Sequence, residues 1–164
     1  MPILGVQQPE IIQINRQLRL RKYDGVFDFA LEWYQDTQTV YLVDGVQKTY
    51  DEQLLADMYE YLNDKGELYF IESFIDGMYK PIGDVTFSQT DMPIVIGDKN
   101  FRSKGIGKKV ISTLIDRGKK LDYAYLCIRE IFDYNTASIK LFEELGFTPL
   151  DKTANGHSYI LQLK

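Results

Sequence analysis

The stretch from Ile94 to Val110 constrains this chain more than any other. A short apolar run (Ile94, Val95, Ile96) leads into a polar segment holding Gly105 and Gly107, and a basic helical pattern follows. The first N–H groups of a helix have no partner within the helix, and the helix dipole favours an anion beside them. Arg102, Lys104 and Lys108 add positive charge at the same point, and the two glycines remove side chains where a backbone must come close to something. The spacing predicts a phosphate cradle on an α/β scaffold. Two common cradles do not fit. A Walker loop needs glycine where Arg102 stands and Ser or Thr where Lys109 stands, and the dinucleotide fingerprint needs glycine where Val110 stands.

The surrounding pattern supplies the scaffold. Residues 1–16 carry few turn signals and read as an arm or an edge strand. Leu18 to Tyr23 alternates apolar and basic residues, as a strand does. Asp24 is the expected cap of a helix carrying Val26, Phe29, Ala30 and Trp33. Thr49 and Glu52 form a capping-box pattern before a second helix with Leu55, Met58, Tyr59 and Leu62 on one face, stopped at Asn63 to Gly66. Strands are expected over Glu67–Phe74, Lys80–Phe87 and Met92–Ile96, the last irregular because Pro93 cannot donate to a ladder. A helix over Lys104–Lys120, a strand over Ala124–Phe132, a helix over Thr136–Leu145 and strands over Phe147–Leu150 and Ser158–Leu163 complete an α/β chain with a mixed sheet. At 164 residues without repeat or linker, the chain reads as one domain.

Arg102-x-x-Gly105-x-Gly107 resembles the pyrophosphate-binding signature of the GNAT superfamily of N-acetyltransferases. A second signature follows in the right order: Asn135-x-x-Ser138 opens a helix that ends in Leu145-Gly146-Phe147, with a strand between the two motifs. Weaker similarity over Leu18–Trp33 is to the branch holding aminoglycoside and ribosomal-protein N-acetyltransferases. The resemblance implies an α+β fold whose mixed, mostly antiparallel sheet is splayed into a V between Met92–Ile96 and Ala124–Phe132, with helices on both faces. It implies acetyl-CoA as co-substrate, with Ile94, Val95 and Ile96 pairing with the pantetheine arm. The pyrophosphate would lie on Arg102, Ser103, Lys104, Gly105, Ile106, Gly107 and Lys108, and Asn135, Ser138 and Phe142 would line the cofactor. A backbone N–H near Val95 or Ile96 would take the acetyl oxygen.

Acetyl transfer to an amine then needs a group to accept the amine's proton. Asp91 aligns with the acidic residue that many members of the family place at the start of this strand, and Asp84 is the second choice. Many members carry a tyrosine seven residues after the asparagine, which protonates the leaving thiolate. Here that position is Phe142, leaving Tyr134 as the nearest hydroxyl in sequence, or departure of the thiolate unaided. An acyl-CoA-binding module without turnover is the alternative reading.

Charge separates the remaining classes. Residues 102–120 hold seven cationic side chains against Asp116 alone, a net +6, while the rest of the chain carries −11. The acidic remainder favours a cationic acceptor such as an aminoglycoside, a polyamine or a basic N-terminus. No nucleic-acid motif accompanies the basic segment. No apolar run reaches the length of a membrane span, and Met1 to Asn15 lacks the pattern of a signal peptide, so a cytoplasmic monomer or homodimer is expected. Cys127, in an apolar run, reads as a buried structural thiol, His157 as an exposed loop residue, and no metal is expected.

Overall fold

The structure, a computed structural model, describes residues 2–164. The chain forms two compact units, Met1–Thr86 with Ile94–Lys104 and Phe87–Pro93 with Gly105–Lys164.

The first unit is built on a five-stranded sheet in the order β1-β2-β3-β4-β5: β1 Ile11–Gln13, β2 Leu18–Lys22, β3 Glu67–Ile75, β4 Met78–Phe87 and β5 Ile94–Ile96. β1 makes the N-terminal segment an edge strand, with Ile12 opposite Leu20. The alternation in β2 sorts its side chains. Leu18 and Leu20 are buried, while Arg19 and Arg21 both donate from Nε to Glu72 of β3, at 2.8 and 2.9 Å. Two guanidinium groups therefore neutralise a buried carboxylate.

Three helices follow β2 in this unit: α1 Leu31–Tyr34, α2 Thr37–Asp44 and α3 Glu52–Lys65. Leu55 and Tyr59 of α3 are fully buried with Trp33, Tyr34, Val40, Tyr50, Leu68 and Phe70. The rings meet edge to face, Tyr59 on Phe70 at 5.5 Å and 78° and Phe29 on Phe70 at 4.8 Å and 73°, the arrangement the ring quadrupole prefers. The abundant aromatics of this half are its core.

At three points the structure departs from the local pattern. Asp24 caps no helix; its Oδ1 accepts the Val26 N–H at 3.0 Å in a turn. The N-cap of α3 is Asp51, whose Oδ1 accepts the Leu54 N–H at 2.8 Å, so Thr49 and Glu52 form no capping box. α2 was not anticipated, although Asp36 accepts the N–H of Thr39 three residues on, an N-cap spacing legible in the sequence.

The second unit holds a three-stranded sheet in the order β6-β8-β7, made of β6 Tyr125–Phe132, β7 Thr148–Lys152 and β8 Gly156–Gln162. Its helices are α4 Ile106–Lys120 and α5 Thr136–Glu144. α4 buries Val110, Ile111, Leu114, Ile115 and Gly118 on one face, which the helical spacing dictates. β6 is bulged against β8 between Ile128 and Ile131. Among the described residues no helix is long and apolar enough to cross a membrane.

Candidate active site

β5 is the terminal strand of the first sheet, antiparallel to β4, with Asp84 opposite Val95 and Gly83 opposite Ile96. Pro93 lies just outside it, so the strand starts where donation becomes possible. The irregularity falls instead at its far end, where the consecutive amides of Gly97 and Asp98 both donate to Ile82 O, at 2.8 and 3.0 Å, as in a β-bulge. Backbone groups alternate along an antiparallel ladder, and the Gly97–Ile82 bond sets the phase: Val95 turns its N–H and C=O toward β4, Ile94 and Ile96 turn theirs to the other edge. Of the two amides expected near the acetyl oxygen, that of Ile96 is the one directed away from β4. The Ile96 carbonyl is already engaged, accepting Arg102 Nε at 2.9 Å.

Arg102 is held on a second side, where its Nη2 donates to Thr39 Oγ1 at 2.9 Å. Thr39 in turn donates to Asp36 Oδ2 at 2.7 Å, and Lys99 Nζ lies 3.1 Å from Asp36 Oδ1. The bonds from Thr39 and Lys99 lower the Asp36 carboxyl to about 2. Arg102, expected to serve only the anion, thus also ties the loop to β5 and α2.

α4 begins after a left-handed residue. Gly105, its N-cap, has φ +76°, and no side chain caps the helix. A Cβ built on Gly105 meets no atom within 4 Å. Ser103 is also left-handed, at φ +59°. The start of this 15-residue helix therefore has no side-chain cap, and the glycine ahead of it borders open space, as an anion site at a helix N-terminus requires. Gly107 has a different reason, since its Cβ would stand 3.4 Å from Leu141 of α5. The basic segment does not converge as its charge suggested. Arg117, Lys119 and Lys120 lie in the last turn of α4, where they complement the negative end of the dipole. Lys108 is 3.6 Å from Glu144, which leaves it partly neutralised, while Lys104 is exposed.

Asp91 sits in the segment ahead of β5, folded back on Ser88, whose hydroxyl donates to Asp91 O and accepts the Asp91 N–H. Its Oδ1 accepts the Arg129 N–H of β6 at 3.0 Å, and its Oδ2 lies 3.9 Å from Arg129 Nε. Arg129 occupies the β6 bulge, and two residues earlier the Cys127 N–H donates to Gln89 O at 2.8 Å. The carboxylate thus continues a backbone ladder and still keeps 29% of its side chain exposed. Burial raises its pKa, against the Arg129 amide and charge.

Asp84, the second choice, is 2% exposed. Its Oδ2 accepts both the Tyr34 and Tyr59 hydroxyls, at 2.7 and 2.8 Å. Burial pushes its pKa up to about 6, with the two tyrosines pulling the other way. A carboxyl raised in the fold favours its protonated form, so wild type loses stability as pH rises from the unfolded value through about 6. Asn at 84 does not titrate. Asp84→Asn is therefore expected to gain on wild type in unfolding free energy by about 2 kcal/mol between pH 4 and pH 7. Urea titrations across that range check it, and a constant difference would refute it.

In the second unit, Asn135 caps α5, with its Oδ1 accepting the Ser138 N–H at 3.2 Å. Tyr134, just ahead, is 39% exposed and stacks on Phe132 at 5.3 Å. Phe142 is 3% exposed and packs edge to face on Phe147 at 5.2 Å. Cys127 is half-buried, and burial pushes its thiol up. His157 lies in β8, with Nδ1 3.2 Å from Asp133.

The acetyltransferase (GNAT) family model matches residues 27–147, and the chain belongs to that family. The mixed α+β fold with antiparallel sheets is similar to that of a GNAT-family acetyltransferase from Bacillus anthracis, at TM-score 0.74 and 14% identity over 93% of this chain and 98% of that one. It is also similar to the ribosomal α-N-protein acetyltransferase RimL in complex with coenzyme A (TM-score 0.69, 18% identity, 93% and 98% covered). An aminoglycoside acetyltransferase in complex with coenzyme A aligns at TM-score 0.68 and 16% identity, over 89% of this chain and 95% of that one. No curated protein sequence matches the chain.

Proposed function

We propose that this protein transfers the acetyl group of acetyl-CoA to a primary amine of a small cationic molecule or of a protein N-terminus. The observation that carries the reading is the start of α4, an uncapped helix behind a left-handed glycine whose missing side chain faces no atom. A group with paired phosphates fits it, and RimL and the aminoglycoside acetyltransferase both hold coenzyme A. The first amides of α4, with Arg102, Ser103, Lys104 and Lys108, would take the pyrophosphate. The edge of β5 away from β4 would hold the acetylated pantetheine arm, through the Ile94 backbone and, at the acetyl oxygen, the Ile96 N–H. Asn135 and Ser138 keep the cofactor-lining role that the family resemblance implies, by ordering the first turn of α5; Phe142, expected beside them, is 3% exposed and packs on Phe147, so it offers the cofactor no open surface.

Acetyl-CoA supplies a thioester carbonyl that is already electrophilic. The amine must arrive neutral, although a free alkylamine has a pKa near ~10.4. Asp91 is the base in this reading. Its Oδ1 is held by Arg129, and Oδ2 accepts the proton directly or through one water. The Ile96 N–H stabilises charge on the acetyl oxygen as the nitrogen–carbon bond forms and the carbon–sulfur bond breaks. The thiolate then leaves unaided or takes a proton from the Tyr134 hydroxyl. Tyr134→Phe separates these: a fall in kcat of roughly 10²-fold assigns the proton to Tyr134, and an unchanged kcat assigns unaided departure. The −11 carried outside residues 102–120 supports a cationic acceptor.

The test is thiol release from acetyl-CoA against a panel of aminoglycosides, polyamines and N-terminal peptides, with calorimetry for coenzyme A alone. Turnover with one class names the acceptor. Binding of coenzyme A without turnover on any amine would reduce the protein to an acyl-CoA-binding module, and no binding would overturn the reading.

A further inference from the structure

The chain of bonds from α2 to Arg102 has no part in the mechanism above, and it runs in one direction. The Asp36 carboxylate, the N-cap of α2, accepts the Thr39 N–H at 3.0 Å and the Thr39 hydroxyl at 2.7 Å. With its hydrogen committed to Asp36, the Thr39 oxygen accepts Arg102 Nη2 at 2.9 Å. Arg102 Nε then closes on Ile96 O at 2.9 Å. Thr39 is 3% exposed, so water does not replace it. The arrangement is an Arg–Asp ion pair relayed by one buried hydroxyl, and hydrogen bonds that involve charged groups are the stronger ones. It engages one edge of the guanidinium, through Nε and Nη2, and leaves Nη1 as its remaining nitrogen. Lys99, 3.1 Å from Asp36, is exposed and holds the same carboxylate from outside.

We propose that Asp36 and Thr39 are positioning residues for the phosphate loop: they fix the guanidinium of Arg102 so that Nη1 and the backbone after it are set for the pyrophosphate before the cofactor arrives. The inference rests on the acetyl-CoA reading above. It assigns α2, which lies more than fifty residues before the loop in sequence, a part in cofactor affinity. Arg102 then acts through its locked orientation as well as its charge. Preorganisation of this kind raises affinity by removing ordering costs at binding.

Three full-length variants test it. Thr39→Val keeps the shape of the side chain and removes the relay. Thr39→Ser keeps the hydroxyl. Asp36→Asn keeps the cap acceptor and removes the charge. Dissociation constants are measured for coenzyme A by calorimetry and for S-acetylpantetheine, which lacks the pyrophosphate, by ligand-detected NMR. Thr39→Val is expected to weaken coenzyme A about tenfold, the effect of losing one good hydrogen bond, with S-acetylpantetheine within twofold of wild type. Thr39→Ser is expected to restore coenzyme A affinity, and Asp36→Asn to weaken it by a smaller factor with the same selectivity. Should Thr39→Val fail to fold, the two ligands against Asp36→Asn decide. Equal losses for both ligands would mark a structural role and overturn the proposal, as would coenzyme A affinities within twofold of wild type in Thr39→Val and Asp36→Asn. If wild type binds no coenzyme A, the function reading fails and this inference falls with it.

Discussion

Replacing Asp91 by Asn is expected to lower kcat by roughly 10²- to 10⁴-fold, the range spanned by a positioned acid or base, while the protein stays folded and binds coenzyme A. The substitution suits its surroundings. Oδ1 of an asparagine can still accept the Arg129 N–H that the carboxylate accepts at 3.0 Å, so the segment around Ser88 and Gln89 keeps its hold on β6. What disappears is the titrating oxygen. Burial raises the Asp91 pKa in the folded protein, so the acid limb of the wild-type kcat/KM profile should fall above the ordinary aspartate value, and the variant should lack that limb. A variant with wild-type kcat and an unchanged profile would leave Asp91 as a clasp between two backbone segments and nothing more. The base would then be sought elsewhere, and not at Asp84, whose carboxylate is enclosed by Tyr34 and Tyr59.

Gly83→Ala is expected to be among the most damaging single substitutions, costing about 3 kcal/mol of stability by overpacking and abolishing measurable coenzyme A binding. A Cβ on Gly83 would collide with Val95 O, with Ile96 Cα and Val95 C at 3.1 and 3.2 Å. All three are backbone atoms of β5, which cannot rotate aside as a side chain would. β5 is three residues long and terminal in its sheet, so it must shift or detach. The Ile94 and Ile96 groups proposed to hold the pantetheine arm would move with it. Thermal unfolding and calorimetry on one preparation check both halves. A variant with unchanged melting temperature and affinity would mean that the strand adjusts without loss.

The two motifs and their order were legible in the sequence because they are written in local chemistry. An asparagine N-cap and a Leu145-Gly146-Phe147 stop each depend on a few neighbouring residues, and each is found where the spacing puts it, with Asn135 as the N-cap of α5 and Gly146 left-handed at φ +97° after it; α4 instead starts at Ile106, two residues later than the pattern predicts, behind the left-handed Gly105. The apolar faces of α3 and α4 follow from helical period alone. Local competition defeated the caps near Asp24 and Thr49, since an aspartate serves a turn or a helix equally well and Asp51 stood closer to the helix start. Tertiary structure decided which charges act together. Sequence could count seven cations in residues 102–120 and string them along one helix, but only folding sets Lys108 beside Glu144 and turns Arg102 toward Thr39. It likewise sealed Asp84 among tyrosines from α1 and α3 while leaving Asp91 partly exposed. The reason is range. Capping and helical period act over three or four residues and are printed in the chain, whereas the pKa and availability of a side chain depend on burial and on partners tens of residues away, which only the packed chain brings within hydrogen-bonding distance.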